Sequence, residues 1–265
     1  MEYYRYEEVT STNDIAKDLA RQGIGEAVVI AKSQSAGRGR MGRTFLSPAG
    51  RGLYVSLLWR PLCSAEELLP LTAMAAAAAA VAIEKVTGAQ VGIKWPNDLV
   101  LNGKKIAGLL TEPALNGDGS VAHVVLGLGL NVGTTAEEFT PEVATIASSL
   151  EVELGCAVDR DALEQAVVEA LHQTLRHLCA PETYIDEYRC RCVTTGKLCR
   201  LLPEGREVEA LDIDGRYGLV VRRGEELETI RSGEVSVRGL YGYIDKERNQ
   251  WKNCGCCSLP LPRWG

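Results

Sequence analysis

Apolar and polar positions repeat with two different periods along this chain, and each change of period marks an element. Ile15, Leu19 and Ala20 recur at helical spacing behind Ser11-Thr12-Asn13-Asp14 and stop at Gly23. That pattern predicts a helix opened by a capping box, with Ser11 three residues before an acid. Residues 26–31 are rich in Val and Ile and read as a buried strand, and residues 52–59 read as a second strand ended by Pro61. Ser64 and Glu67 form another capping box, which predicts a helix through the alanine tract 75–80 to about Gly88. Alanine favours helix and lets a backbone lie close against a sheet.

Residues 91–94, 98–101, 105–112 and 121–131 read as four strands, joined by tight turns at Pro96-Asn97, Asn102-Gly103 and 116–119. Consecutive strands without intervening helices favour an antiparallel or mixed sheet, so the main fold class is α+β, a mixed sheet flanked by helices. A long amphipathic helix is predicted over 159–180, with Leu163, Ala166, Val167, Ala170, Leu171 and Leu178 on one face. Short strands then follow closely at 198–202, 207–213, 218–221, 225–230 and 234–237, which suggests a small β-barrel. The expected organisation is a catalytic unit over 1–190, a small unit over 194–240 and a Cys- and Pro-containing tail over 245–265, expected to be disordered.

Composition narrows the chemistry. The 265 residues carry a formal net charge of −6, which argues against a general nucleic-acid or membrane surface. No window reaches the apolar length of a membrane span and the N-terminus has no leader pattern, so a cytoplasmic protein is expected. Nine cysteines, an odd number with irregular spacing, offer no disulfide framework. Cys254, Cys256 and Cys257 lack the spacing of a structural zinc site. His123, His172 and His177 read as structural.

Within this acidic chain one stretch is conspicuously basic: Gly37-Arg38-Gly39-Arg40-Met41-Gly42-Arg43. Its glycines satisfy a dinucleotide-binding spacing, but no helix pattern follows to receive a pyrophosphate, so that reading fails on context. Glycines that let backbone N–H groups turn toward an oxyanion, interleaved with guanidinium forks, suit a small anionic ligand. Arg51, Lys94, Asn97, Asp98, Lys104, Lys105 and Glu112 add cations and acids nearby in sequence. The set suits a nucleoside triphosphate, with Asp98 or Glu112 available to Mg²⁺. No Walker A or kinase signature is present.

Ser11-Thr12-Asn13, Gln34, the 37–43 loop, Lys94 to Asp98, Gly103 to Gly108, Gly127-Leu128-Gly129-Leu130-Asn131-Val132 and Gly233 to Arg238 resemble, in order and spacing, the biotin–protein ligases. The resemblance implies a fold like that of class II synthetases and biotin/lipoate ligases, ending in an SH3-like C-terminal unit. It implies ATP-dependent formation of biotinyl-5′-adenylate, then transfer of biotin to a lysine of a biotin carboxyl carrier protein or domain. It also implies homodimerisation through the sheet. A helix-turn-helix has no room before Ser11, so DNA binding is not expected.

The resemblance assigns residues as well. Arg38, Arg40 and Lys105 are the expected catalytic cations. Ser11, Thr12, Asn13, Gln34, Arg38, Gly39, Arg40, Lys105 and Gly108 are expected to bind biotin. Arg40, Arg43, Phe45, Lys94, Asn97, Asp98 and Asn131 are expected at ATP or the adenylate, with Mg²⁺ at Asp98. Phe45 stands where the family commonly has Trp, and Met41 where another member has Arg. The same fold also hosts lipoate–protein ligases and octanoyl transferases, and a non-catalytic adenylate- or biotin-binding module is the rival from another class.

Overall fold

The computed structural model describes residues 1–237. The segment beyond, which holds the tail cysteines and Arg238, lies outside the described residues. A seven-stranded sheet runs in the order β1-β2-β3-β7-β6-β5-β4, built from β1 (Glu2–Val9), β2 (Ala27–Gln34), β3 (Gly52–Trp59), β4 (Gly92–Lys94), β5 (Asp98–Leu101), β6 (Lys104–Leu115) and β7 (Val121–Asn131). Only β1 and β2 pair parallel within it. The helices are α1 (Thr12–Arg21), α2 (Leu71–Thr87), α3 (Pro141–Ala144), α4 (Leu150–Leu154), α5 (Arg160–Arg176) and α6 (Ile185–Arg191).

Successive strand residues face opposite sides, and here both sides are covered. Val28, Ile30, Val55, Leu57, Leu126 and Leu128 join the large core under α2 and α5, while Ala27, Val29, Leu58 and Val125 form a smaller core with Ala16, Leu19 and Ala20 of α1. The alanine tract is buried throughout, and α2 packs against α5, β4, β5 and β6. This is the close helix–sheet approach that small side chains permit.

Beyond α6, β8 (Lys197–Leu202), β9 (Arg206–Ile213), β10 (Leu219–Arg223), β11 (Glu226–Ile230) and β12 (Glu234–Val237) form a five-stranded antiparallel sheet in the order β11-β10-β9-β8-β12. Its inner residues Val208, Ala210, Ile213, Tyr217, Leu219 and Val221 belong to the same large core. The seam is also polar: Trp95 Nε1–H donates to Tyr217 O at 2.9 Å and Trp95 N–H to Thr194 Oγ1 at 2.9 Å.

Several expectations need correction. Ser11 is the N-cap of α1 but makes no side-chain cap hydrogen bond, because α1 starts inside a polar pocket rather than in solvent. The Ser64–Glu67 box does form, with Ser64 N–H donating to Glu67 Oε2 at 2.8 Å. It closes a turn, however, and α2 starts only at Leu71, after Pro70. The helix predicted over 159–180 ends at Arg176 and gives way to a 3-10 turn at Pro181–Tyr184. Strand β1 and the short helices α3, α4 and α6 carry too little periodicity to be read from sequence.

Candidate active site

The face of the sheet under α1 changes character along its length. Cross-strand partners share a face, so the pairing register gives two rows: Ser56, Gly127 and Leu110, then Tyr54, Gly129, Gly108, Asp98 and Lys94. These rows form the floor of a cleft, and the glycines hold it open. A Cβ on Gly127 would overlap Asn13 Oδ1, and one on Gly129 would lie 2.6 Å from the Phe45 ring.

The narrow end is lined by Ser11, Thr12, Asn13, Gln34, Arg38, Phe45 and Gly108. Its polar groups are ordered by one another. Gln34 Oε1 accepts from Thr12 N–H at 2.9 Å, and Gln34 Nε2 donates to Ser47 Oγ at 2.8 Å. The buried Ser56 hydroxyl lies 2.7 Å from Thr12 Oγ1 and 2.6 Å from Asn13 Oδ1. Asn13 Nδ2 donates to Glu112 Oε2 at 2.7 Å, and Lys17 Nζ donates to Glu112 Oε1 at 2.9 Å. Glu112, one of two acids expected for Mg²⁺, therefore has both oxygens engaged at this end. Burial pulls the Lys17 ammonium down, but Glu112 and Asp14 outweigh it and the net direction is up.

The wide end, about 220 Å³, is reached past Arg38, Phe45 and Gly108. The 37–43 loop forms one wall, closed by Gly39 N–H donating to Arg43 O at 2.7 Å and Phe45 N–H to Gly37 O at 2.8 Å. Met41 turns through the left-handed region at φ 55° and stays exposed. Gly37 is fixed by contact, since a Cβ there would strike Phe45 O and lie 2.6 Å from Ser47 Oγ. Arg40 Nη1 donates to Asn97 Oδ1 at 3.1 Å, and Asn97 Nδ2 to Leu109 O at 2.7 Å. Lys105 Nζ lies 2.7 Å from Asp98 Oδ1, and the buried Lys94 ammonium is 3.9 Å from Asp98 Oδ2.

Asn131 is 3% exposed and lines this end; its Nδ2 donates to Ser148 O at 3.0 Å, while its Oδ1 has no hydrogen-bond partner. A buried acceptor left this way costs free energy that a donor on a ligand would recover.

Every sequence-expected residue thus falls on one cleft. Two cations considered with them do not. Lys104 donates to the carbonyls of Ala144 and Thr145, and Arg51 pairs with Glu138 at 2.9 Å. Both brace the 138–147 segment. That segment supplies what sequence reasoning missed, an apolar wall of Phe139, Val143, Ile146 and Ala147 held by Lys105 N–H donating to Ile146 O at 2.8 Å. Its residues carry no motif. Ser56 was also missed, although a lone polar residue inside the apolar run Leu53-Tyr54-Val55-Ser56-Leu57-Leu58 was a readable signal.

Comparison with known proteins agrees with this geometry. The biotin/lipoate A/B protein ligase family profile matches residues 6–131. The bifunctional ligase/repressor BirA of Bacillus spizizenii is 34% identical over 234 residues, 86% of this chain and 72% of that protein. The biotin–[acetyl-CoA-carboxylase] ligase of Mycobacterium tuberculosis is 32% identical over 235 residues, 85% of this chain and 84% of its own. The Aquifex aeolicus biotin protein ligase, solved in complex with biotin and ATP, superposes with a TM-score of 0.75 at 27% identity, covering 89% of this chain and 98% of that one. With its polar pocket, cationic centre and apolar wall on one sheet face, the chain belongs to the biotin–protein ligase family.

Proposed function

We propose that the cleft joins biotin to ATP and passes the biotinyl group to a lysine of a biotin carboxyl carrier protein or domain. The observation that carries this reading is the order of groups along the cleft: neutral donors and acceptors at the narrow end, Arg38, Arg40 and Lys105 in the middle, and Asn131 with an apolar wall at the wide end. A cyclic urea needs paired donors and acceptors, which Thr12, Asn13, Gln34 and Ser56 supply. Lipoate and octanoate end in groups that offer those polar atoms no hydrogen bonds, so they gain less from the pocket than a cyclic urea does.

The carboxylate oxygen attacks the α-phosphorus of ATP, a P–O bond forms to give the mixed anhydride, and the bond to pyrophosphate breaks. Both reactants are anionic, so the catalysis assigned to this chain is charge neutralisation and alignment. Arg38 and Arg40 take the carboxylate and α-phosphate, and Lys105, aimed by Asp98, takes the developing charge on phosphorus. Asn97 orients Arg40, Lys94 and Arg43 add positive charge, and Asn131 Oδ1 is available to an exocyclic amine on the base. In the second step the acceptor amine attacks the acyl carbon and AMP leaves.

Among the residues lining the wide end, Asp98 is the carboxylate that could help hold Mg²⁺, which needs only one or two and takes phosphate and water for the rest. Asp98 already serves Lys105, and among the described residues no three His, Cys, Asp or Glu side chains gather to hold an ion. Mg²⁺ arrives on the nucleotide in this reading. The five C-terminal strands are proposed to be an SH3-like unit of 194–240 beside a catalytic unit of 1–190, supported by their length, antiparallel order and shared core. A cytoplasmic setting and a homodimer complete the proposal.

Pyrophosphate exchange into ATP, measured with biotin, lipoate and octanoate in turn, tests the reading. Exchange with biotin alone is expected. Exchange with lipoate would overturn the pocket assignment, and none with any acid would leave a binding module.

A further inference from the structure

Five side chains on three elements form an unbroken chain beside the narrow end of the cleft. Arg38 Nη2 lies 2.8 Å from Asp14 Oδ2, and Asp14 Oδ1 lies 3.0 Å from Lys17 Nζ. Lys17 reaches Glu112 Oε1 at 2.9 Å, and Glu112 Oε2 accepts from Asn13 Nδ2 at 2.7 Å. One end of the chain is the guanidinium assigned to the substrate carboxylate. The other is an amide of the polar pocket.

The first link is the informative one. A guanidinium prefers a planar carboxylate, and Asp14 presents to Arg38 the same functional group that biotin carries. Asp14 occupies Nη2 of Arg38, so a substrate carboxylate that takes the fork bidentately through Nη2 has to displace it. When Arg38 turns to the substrate, Asp14 keeps Lys17, its neighbour one helical turn away, so no charge is stranded. The Arg38 side chain is half-exposed, and an ion pair at such a place is weak enough to exchange.

We propose that Asp14 is a positioning residue that parks Arg38 against α1 until the substrate carboxylate displaces it. The proposal rests on the assignment of Arg38 to the biotin carboxylate. A competitor built into the enzyme lowers apparent affinity by the fraction of molecules in which Arg38 is free. Asp14 therefore opposes biotin binding while keeping the loop in place.

The test is biotin titration of pyrophosphate exchange with Asp14→Asn, which keeps size and a helix-compatible side chain, and with Asp14→Ser as a shorter second variant. Both should lower the KM for biotin about two- to fivefold, the range that a half-exposed ion pair supports. The KM for ATP and kcat should not move, and Asp14→Glu should stay near wild type. Trypsin should cut after Arg38 faster in the unliganded Asn variant than in wild type, and saturating biotin should abolish the difference. A biotin KM that is unchanged or raised, in a variant melting like wild type, overturns the role. Arg38→Ala separates the two levels. If it leaves the biotin KM unchanged, the carboxylate assignment fails; if it raises the KM while Asp14→Asn does not lower it, the parking role alone fails.

Discussion

Lys105 Nζ sits 2.7 Å from Asp98 Oδ1 across the β5–β6 pair, directly over Gly108, where a Cβ would stand 3.3 Å from the ammonium. The acid aims the cation and the glycine leaves it room. Lys105→Ala should cut pyrophosphate exchange by about 10²- to 10³-fold, the usual loss when a preorganised charge-stabilising donor is removed. Asp98→Asn, whose carboxamide oxygen can still accept from Lys105, should lose about tenfold in kcat. The half-saturating Mg²⁺ concentration should be the same in Asp98→Asn and wild type; a marked rise would make Asp98 a metal ligand instead.

Gly127 and Gly129 should fail differently. An alanine at 127 displaces the Asn13 amide and should raise the KM for biotin by at least about tenfold, since a shift of about 1 Å in a positioning group costs up to 10²-fold. An alanine at 129 pushes on the Phe45 ring, which stands between the two ends of the cleft. That change should speed escape of biotinyl-5′-adenylate, measured by trapping the released intermediate. Equal effects on both quantities would remove the distinction.

The buried thiols should be slow to react. Burial pushes the Cys192 thiol up, and burial with the nearby Cys192 pushes Cys199 up to about 11, whereas Cys156 and Cys179 are exposed. Iodoacetamide at neutral pH attacks thiolates, so mass mapping should find Cys156 and Cys179 modified long before Cys192 and Cys199. Early labelling of Cys199 would show that the seam opens readily.

Acid should unfasten one turn of the C-terminal sheet. Burial pushes the Asp214 carboxyl up, but Arg231 at 2.6 Å and the N–H groups of Gly218 and Arg216 outweigh it, and the net direction is down. A carboxyl depressed in the folded state stabilises above its unfolded value of about 3.9 and loses that contribution as pH falls through its folded value. The urea midpoint of Asp214→Asn should therefore lie below wild type at neutral pH, with the gap narrowing as pH falls below about 3.9 and closing only below the folded value. A gap independent of pH would refute the charge argument.

Much of this was legible because it rests on local rules. The Val-rich strands, the alanine helix and the turns at Asn102-Gly103 and 116–119 follow from period and turn chemistry, and the loop arginines are readable in sequence as a candidate anion site. What escaped depends on register. That Ser56, Gly127 and Leu110 lie in one row, and that Glu112 serves Asn13 and Lys17, follows from which strands pair, which no local pattern encodes. The wall of Phe139, Val143, Ile146 and Ala147 escaped for a related reason, since it is held by backbone bonds to a distant strand.

Trp95 has neighbours of two kinds. Lys94, Asn97 and Asp98 on either side of it face the cleft, while its own indole is fastened to Tyr217, and Pro96 O accepts from Tyr188 at 3.1 Å. Lys94, Asn97 and Asp98 are thus mounted beside the joint between the two sheets. A change at Thr194 or Tyr217 would therefore reach the cleft through the backbone of 94–98, although neither side chain lines its wide end.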